Sequence, residues 1–308
     1  MTTTDSAETH ADDRSVVDRV TSGDSRLGLS EPYTLSLPTV VWFAVFLLLP
    51  LAVIGVYSFM SYSSFNVIFE FTLDPWTRAL TSDTVLSVFG RTLGVGILVT
   101  VLTLVFAYPI AYYLRFYVSE LMGIVLLLFL VIPFWTSELI RTLGWFPILG
   151  RSGIVNGFLM TVGVTDEPLR WLMFSMFSQV VGYLQNYLVF MAAPIYISLS
   201  QIDEDLLDAS ETLRANSFET FKNVTLPLSL PGVAIGCMFT FVLTVGNLTV
   251  PQFLSAGDAT ITTLIYQEVQ RGLHYPNASA MSIMLLTVIF VFVYALFRVV
   301  DISEIAQN

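Results

Sequence analysis

Long stretches of this sequence carry no charge. No Asp, Glu, Lys or Arg occurs from Pro32 to Phe69, Thr92 to Leu114, Leu121 to Ser137, Trp171 to Ile202, Asn223 to Gly257 or Gly272 to Phe297. A helix needs about 20 mostly apolar residues to cross the hydrocarbon core of a bilayer. Five of the gaps reach that length. The gap from Leu121 reaches it by running on through Glu138 to Trp145, with one polar turn at the interface. The pattern therefore predicts six transmembrane helices, at 38–60, 91–113, 120–142, 172–198, 229–250 and 279–300. Helices and closed barrels are the structures that satisfy backbone polar groups in lipid, and uninterrupted apolar runs are helical where barrel strands alternate.

Composition agrees. Hydrophobic residues make up 55% of the 308, charged ones 12%, and the mean hydropathy is +0.75. A soluble domain carries roughly 25% charged residues, so an ordinary soluble enzyme is excluded. A net charge of −11 repels phosphate and argues against nucleic acid as a partner. Cys237 stands alone, so no intramolecular disulfide or cysteine-cluster metal site is available, and His10 and His274 make no ligand-spaced pair. No cofactor is expected. Residues 1–33 are rich in acids, Ser and Thr without apolar period and read as a disordered acidic tail; residues 34–308 form the membrane domain. No cleaved signal peptide is expected, because no short apolar core with a cleavage site precedes the first span.

Six spans put both termini on one side. The positive-inside rule does not say which, because seven basic residues fall on one side and six on the other.

The polar segment between spans four and five, 202–228, has internal order. Ile202, Leu206, Ala209 and Leu213 recur at helical spacing. Asp203, Glu204 and Asp205 crowd the first turn, where the helix dipole favours negative charge. Asn216 with Glu219 fits a capping box opening a second short helix. Phe218 and Phe221 are placed on one face of it, and Pro227 and Pro231 are expected to end it and begin the next span. Such a hairpin can rest its apolar face on lipid or its own bundle, or dock it on a partner.

The residues of that hairpin carry a resemblance. Asp208-Ala209-Ser210, then Leu213, Ala215, Phe218, Phe221, Val224, Thr225-Leu226-Pro227 and Pro231-Gly232, resemble the EAA loop of membrane permeases in ATP-binding-cassette (ABC) importers. Asp208 stands where that family usually has Glu, and Arg214 where it usually has Gly. The Gly would permit a turn with positive φ or a close approach of the partner, so Arg214 implies a less demanding turn or altered docking. Ile132 to Ser137 with Arg141-Thr142 and Trp145, the stretch 150–163, Val250 to Leu254, Ile265 to Glu268 and Pro276 to Ser282 are similar to the spermidine/putrescine branch of that family.

The resemblance implies an all-α membrane protein: a six-transmembrane-helix bundle of the type I ABC importer permease kind with a cytoplasmic helix–turn–helix coupling loop. It implies ATPase coupling through Asp208, Ala209, Ser210, Leu213, Arg214, Ala215, Phe218 and Phe221. Expected partners are a cytoplasmic ABC ATPase dimer, a second homologous permease, an extracytoplasmic solute-binding protein and membrane lipid. It implies a multi-pass protein of the cell membrane with both termini cytoplasmic, carrying a small solute, polyamine first, with thiamine, iron or sulfate as alternatives.

The chain cannot be its own motor. A phosphate-binding loop ends in Gly-Lys-Ser/Thr, and the single lysine, Lys222, follows Phe221. Gly-x-Ser-x-Gly, HExxH and GxGxxG are also absent, so no enzymatic activity is expected. An ion-coupled carrier would want ionisable groups at mid-membrane and inverted repeats, and neither is evident. Three residues are candidates for the translocation path. Glu138 with Trp135 could attract a cation by charge and by a cation–π face, although Glu138 could equally make an i,i+3 pair with Arg141. Asn247 is the deepest amide of span five, able to bond a neighbouring helix or line the path. Gly90/Gly94 and Gly232/Gly236 form GxxxG pairs that let helices approach closely.

Overall fold

The structure is a computed structural model; it describes residues 31–299 apart from 64, 65, 256 and 258, so the acidic tail call for 1–33 lies almost wholly outside the described residues. The chain divides into two units, one ending at Val53 and one from Ile54 onward. The first unit is helical from Glu31, with a wide turn over Ala44–Leu48. That helix, α1 (Leu37–Tyr57), is the first span.

The second unit opens with a short antiparallel hairpin, β1 (Met60–Ser63) and β2 (Asn66–Phe71), and a short helix, α2 (Asp74–Thr81). Its centre is three long helices, the last antiparallel to the other two. These are α3 (Asp83–Phe116), α8 (Met176–Ser200) and α11 (Leu226–Val245), which pack mutually. Between α3 and α8 lie α4 (Glu120–Val131), α5 (Glu138–Leu143), α6 (Phe146–Leu149) and α7 (Ile154–Thr161). The segment joining α8 to α11 holds α9 (Glu204–Thr212) and α10 (Ser217–Thr220). After α11 come α12 (Thr249–Leu254), α13 (Ile261–Gln267) and α14 (Tyr275–Val299).

Among the described residues, five helical stretches are long and apolar enough to span a bilayer, and a sixth qualifies if a bent pair is one span. That pair corrects the expected helix at 120–142. The segment Glu120–Trp135 stops and Glu138–Thr161 leaves at 94°. The cause is local. Pro133 opens a tight turn, Ile132–Trp135, Thr136 is extended, and the Ser137 hydroxyl accepts from the Ile140 amide (3.3 Å), capping a new helix.

The fifth span also differs from its expected form, a single helix over 229–250. It starts earlier: Ser217 to Val245 is continuous helix through Pro227 and Pro231, eased by a wide turn at Phe221–Thr225. Those prolines sit within the helix and end nothing. It then breaks after Val245, and α12 resumes. Contacts along α8 establish that α11 and α12 are two pieces of one antiparallel neighbour. Ser198 Oγ donates to Leu228 O (3.3 Å), Tyr187 Oη to Leu243 O (3.0 Å) and Ser178 Oγ to Leu254 O (2.7 Å). The break at 246–248 therefore faces the middle of α8.

Glycine sets the closeness of that packing at one of the two predicted pairs. A Cβ on Gly232 would lie 2.4 Å from Pro194 O, and one on Gly236 would lie 2.6 Å from Met191 Sδ. Gly90 and Gly94 face open space and mediate no such approach.

Candidate functional site

The hairpin forms as a tight unit. Ile202 is buried, and Asp203 Oδ1 accepts from the Asp205 amide (3.1 Å) at the start of α9. At its end the Leu213 amide donates to Ala209 O and the Ala215 amide to Ser210 O, both 3.1 Å. These bonds place Arg214 at the position that glycine usually fills, and its φ is +62°. The left-handed turn is kept, with arginine in it. The less demanding turn is thus not what the arginine signifies. The capping box forms as expected: Asn216 Oδ1 accepts from the Glu219 amide (2.9 Å) and Glu219 Oε2 from the Asn216 amide (2.8 Å). Ser210 Oγ lies 2.8 Å from Thr220 Oγ1 and ties the two short helices together.

This unit exposes apolar side chains among its polar ones. Leu206, Ala209, Leu213 and Phe218 are exposed, Leu213 to 83% and Phe218 to 71%, with Asp208 exposed among them. Ser210 is buried and Ala215 half-buried. Phe221 parts from Phe218. It turns inward, edge-on to Tyr108 and Tyr112 of α3 at 5.7 and 6.1 Å between ring centroids. The wide turn rotates Phe221 off the face that a regular helix would share between them.

The second site lies where the two breaks meet. Glu138, in the first turn of α5, accepts at Oε1 from the amides of Asn186 (3.4 Å) and Asn247. Asn247 also donates to Tyr187 Oη (2.6 Å), and its Oδ1 accepts from the Val250 amide (2.8 Å), bridging the gap in the fifth span. Irregular backbone is tolerated at membrane depth where it lines a cavity or is buried in protein. A cavity of about 460 Å³ opens here, lined by Phe134, Glu138, Arg141, Tyr187, Asn247 and the 242–248 stretch among others.

Glu138 and Asn247 are thus brought together from 109 positions apart in sequence. Trp135 is not brought to them: it is 87% exposed. The cation–π contact at this place is instead Arg141 over the Phe134 ring, 4.4 Å from its centroid. Arg141 does not pair with Glu138. Its guanidinium donates to Asn186 Oδ1 (3.0 Å), Pro133 O (2.7 Å) and Thr136 O (3.1 Å). Gln179, Tyr183, Asn186 and Tyr187 of α8, all buried, were not among the sequence candidates. Their helical spacing within a charge-free span was the signal, one that a search for charge passes over.

A bundle of apolar spans, two of them broken around a cavity that Glu138, Arg141 and Asn247 help to line, and carrying a hairpin with exposed leucine and phenylalanine, is a multi-pass membrane permease. The chain belongs to the family described as binding-protein-dependent transport system inner membrane component, whose pattern matches residues 86–304. It is 32% identical over 247 residues to the spermidine/putrescine transport system permease protein PotB of Escherichia coli (strain K12), covering 79% of this chain and 88% of that one. It is 30% identical over 280 residues to the inner membrane ABC transporter permease protein YdcU of the same organism, covering 86% and 88%. Its fold is similar to a chain of a bacterial alginate ABC transporter crystallised with an alginate pentasaccharide-bound periplasmic protein. That match has a TM-score of 0.66 at 18% identity, covering 86% of this chain and 92% of that one. The fold is the type I ABC permease fold, and the family consists of transport components rather than enzymes.

Proposed function

We propose that this permease forms half of the path for a polyamine of the spermidine/putrescine class, delivered from outside by a solute-binding protein. A second, homologous permease supplies the other half. Two ATPase subunits sit in the cytoplasm and grip the α9–α10 hairpin, which puts both termini on that side. Asp208, Ala209, Ser210, Leu213, Arg214, Ala215, Phe218 and Phe221 form the coupling element. Leu213, Phe218 and Asp208 make the contact, while Phe221 transmits displacement of the hairpin to α3 through Tyr108 and Tyr112. Coupling is then a difference in ATPase affinity between two conformations of the membrane bundle.

The observation that carries this reading is the exposed apolar face of a hairpin that is otherwise acidic and well capped. Exposed leucine and phenylalanine on a polar segment mark a protein contact. The polyamine assignment is supported by the relatives named for that transport and by the Glu138 carboxylate at the cavity, which suits an ammonium group. Trp135, exposed beside the break, faces the partner permease or lipid rather than this cavity.

The test is co-purification. Deletion of residues 204–222 is expected to abolish association with the ATPase while the membrane domain still inserts. ATPase that stays bound to the shortened chain overturns the coupling assignment. Uptake of radiolabelled putrescine by the complete importer tests the cargo, and its absence alongside uptake of another solute overturns polyamine.

A further inference from the structure

The cavity at the two breaks holds an acid and a base three residues apart on one helix, yet they do not form the pair that such spacing favours. Asn186 stands between them. It is 2% exposed and lies behind the cavity wall. Its Oδ1 accepts from Arg141 Nε (3.0 Å), and its Nδ2 donates to Glu138 Oε1 (3.4 Å). One amide thus engages the two charged groups with opposite ends. Arg141 is further held by Pro133 O and Thr136 O and by the Phe134 ring. Both carbonyls belong to the turn that follows α4, where Pro133 O also accepts from the Thr136 amide (3.1 Å) and hydroxyl (2.7 Å), so the guanidinium fastens the bend. Among the described residues, the donors to Glu138 are neutral, the amides of Asn186 and Asn247.

We propose that Asn186 is a positioning residue that holds Arg141 out of direct contact with Glu138, so that the cavity keeps a carboxylate with no ion-pair partner for an ammonium group of the passing solute. The inference rests on the cavity reading given above and deepens it. Asn186 touches no solute; it acts through the two residues it separates. Without it, Arg141 and Glu138 close on each other. The guanidinium then occupies the carboxylate directly, and an arriving cation has to displace it. The same amide explains how an acid and a base share a small intramembrane space while only the base is spent on structure.

The test uses the complete importer in proteoliposomes, with radiolabelled putrescine as the probe and maximal uptake expressed per assembled complex. Glu138→Gln is expected to lower uptake by about tenfold or more, the loss of one charge contact at low dielectric. Asn186→Leu is expected to lower it comparably. The double variant Asn186→Leu with Arg141→Gln is expected to recover to within about threefold of the unmodified importer, because glutamine can still donate to the bend carbonyls and no longer neutralises Glu138. A merely structural role for Asn186 requires no recovery, because Arg141→Gln restores none of the bonds that Asn186→Leu removes. Uptake unchanged by Glu138→Gln removes Glu138 from the path and overturns the cavity reading with this inference. Uptake lowered by Glu138→Gln, with Asn186→Leu harmless or the double variant no better than Asn186→Leu, overturns this inference alone.

Discussion

Replacing Gly232 by Ala adds one methyl at the closest approach of α8 and α11. Its Cβ would lie 2.4 Å from the backbone oxygen of Pro194 and 2.7 Å from Ser198 Cβ. Carbon atoms pack best at about 3.5–4.0 Å, so the helices must part by about 1 Å. The nearest obstacle is backbone, which cannot rotate aside. Separation would strain the Ser198 Oγ to Leu228 O bond and loosen the inner core around Met191, Ile195 and Leu199. Overpacking of this kind costs about 1–3 kcal/mol. Gly90→Ala is the control. It adds the same methyl to an equally helical position with nothing within 4 Å, where alanine gains roughly 0.5–1 kcal/mol over glycine. Thermal unfolding of the detergent-solubilised protein, followed by loss of the monodisperse chromatographic peak, measures both. Gly232→Ala is expected to melt several degrees lower and Gly90→Ala at or above the unmodified protein. Equal effects, or a reversed order, would refute the argument that Gly232 sits at a backbone contact.

Arg214→Gly relieves a left-handed residue that costs about 1 kcal/mol or more with a side chain, so melting should rise; a fall would mean that the arginine makes a compensating contact. Asn216→Ala removes the cap at the hairpin turn and is expected to cost about 0.5–2 kcal/mol, seen as faster proteolytic nicking within 209–220; unaltered cleavage counts against the capped hairpin. Phe218→Ala should weaken ATPase binding about tenfold or more, as loss of an aromatic anchor does, while leaving melting unchanged. Phe221→Ala should instead lower melting, because that ring is packed between Tyr108 and Tyr112; interchange of the two phenotypes would mean that the hairpin faces the other way.

The elements that depend on local chemistry were legible without coordinates. The Asn216–Glu219 box closes as its spacing requires, and four of the six spans fall near their expected places because a charge-free run that long has few alternatives in lipid. The two broken spans were not legible as breaks. Pro133 and the Thr136-Ser137 capping signal were in plain view, but hydropathy averages over a turn and reads through it. In the fifth span the prolines pointed to a boundary that the helix ignores, while Gly246-Asn247 marked the one it obeys.

The candidate site divides along the same line. Glu138 and Asn247 could be chosen singly, as an acid and an amide in apolar surroundings; their meeting, and the exclusion of Trp135 from it, needed the fold. What the order of residues determined by itself was which stretches are apolar enough to enter the bilayer and which are too polar to do so, because transfer of a charge or a bare peptide group into lipid is costly wherever it occurs along the chain. What only the tertiary structure decided was which interruptions face one another. Asn186, on a third helix, separates an acid from its neighbouring base through bonds of 3.0 and 3.4 Å, and such a bridge depends on helix rotation and depth, which no linear spacing encodes.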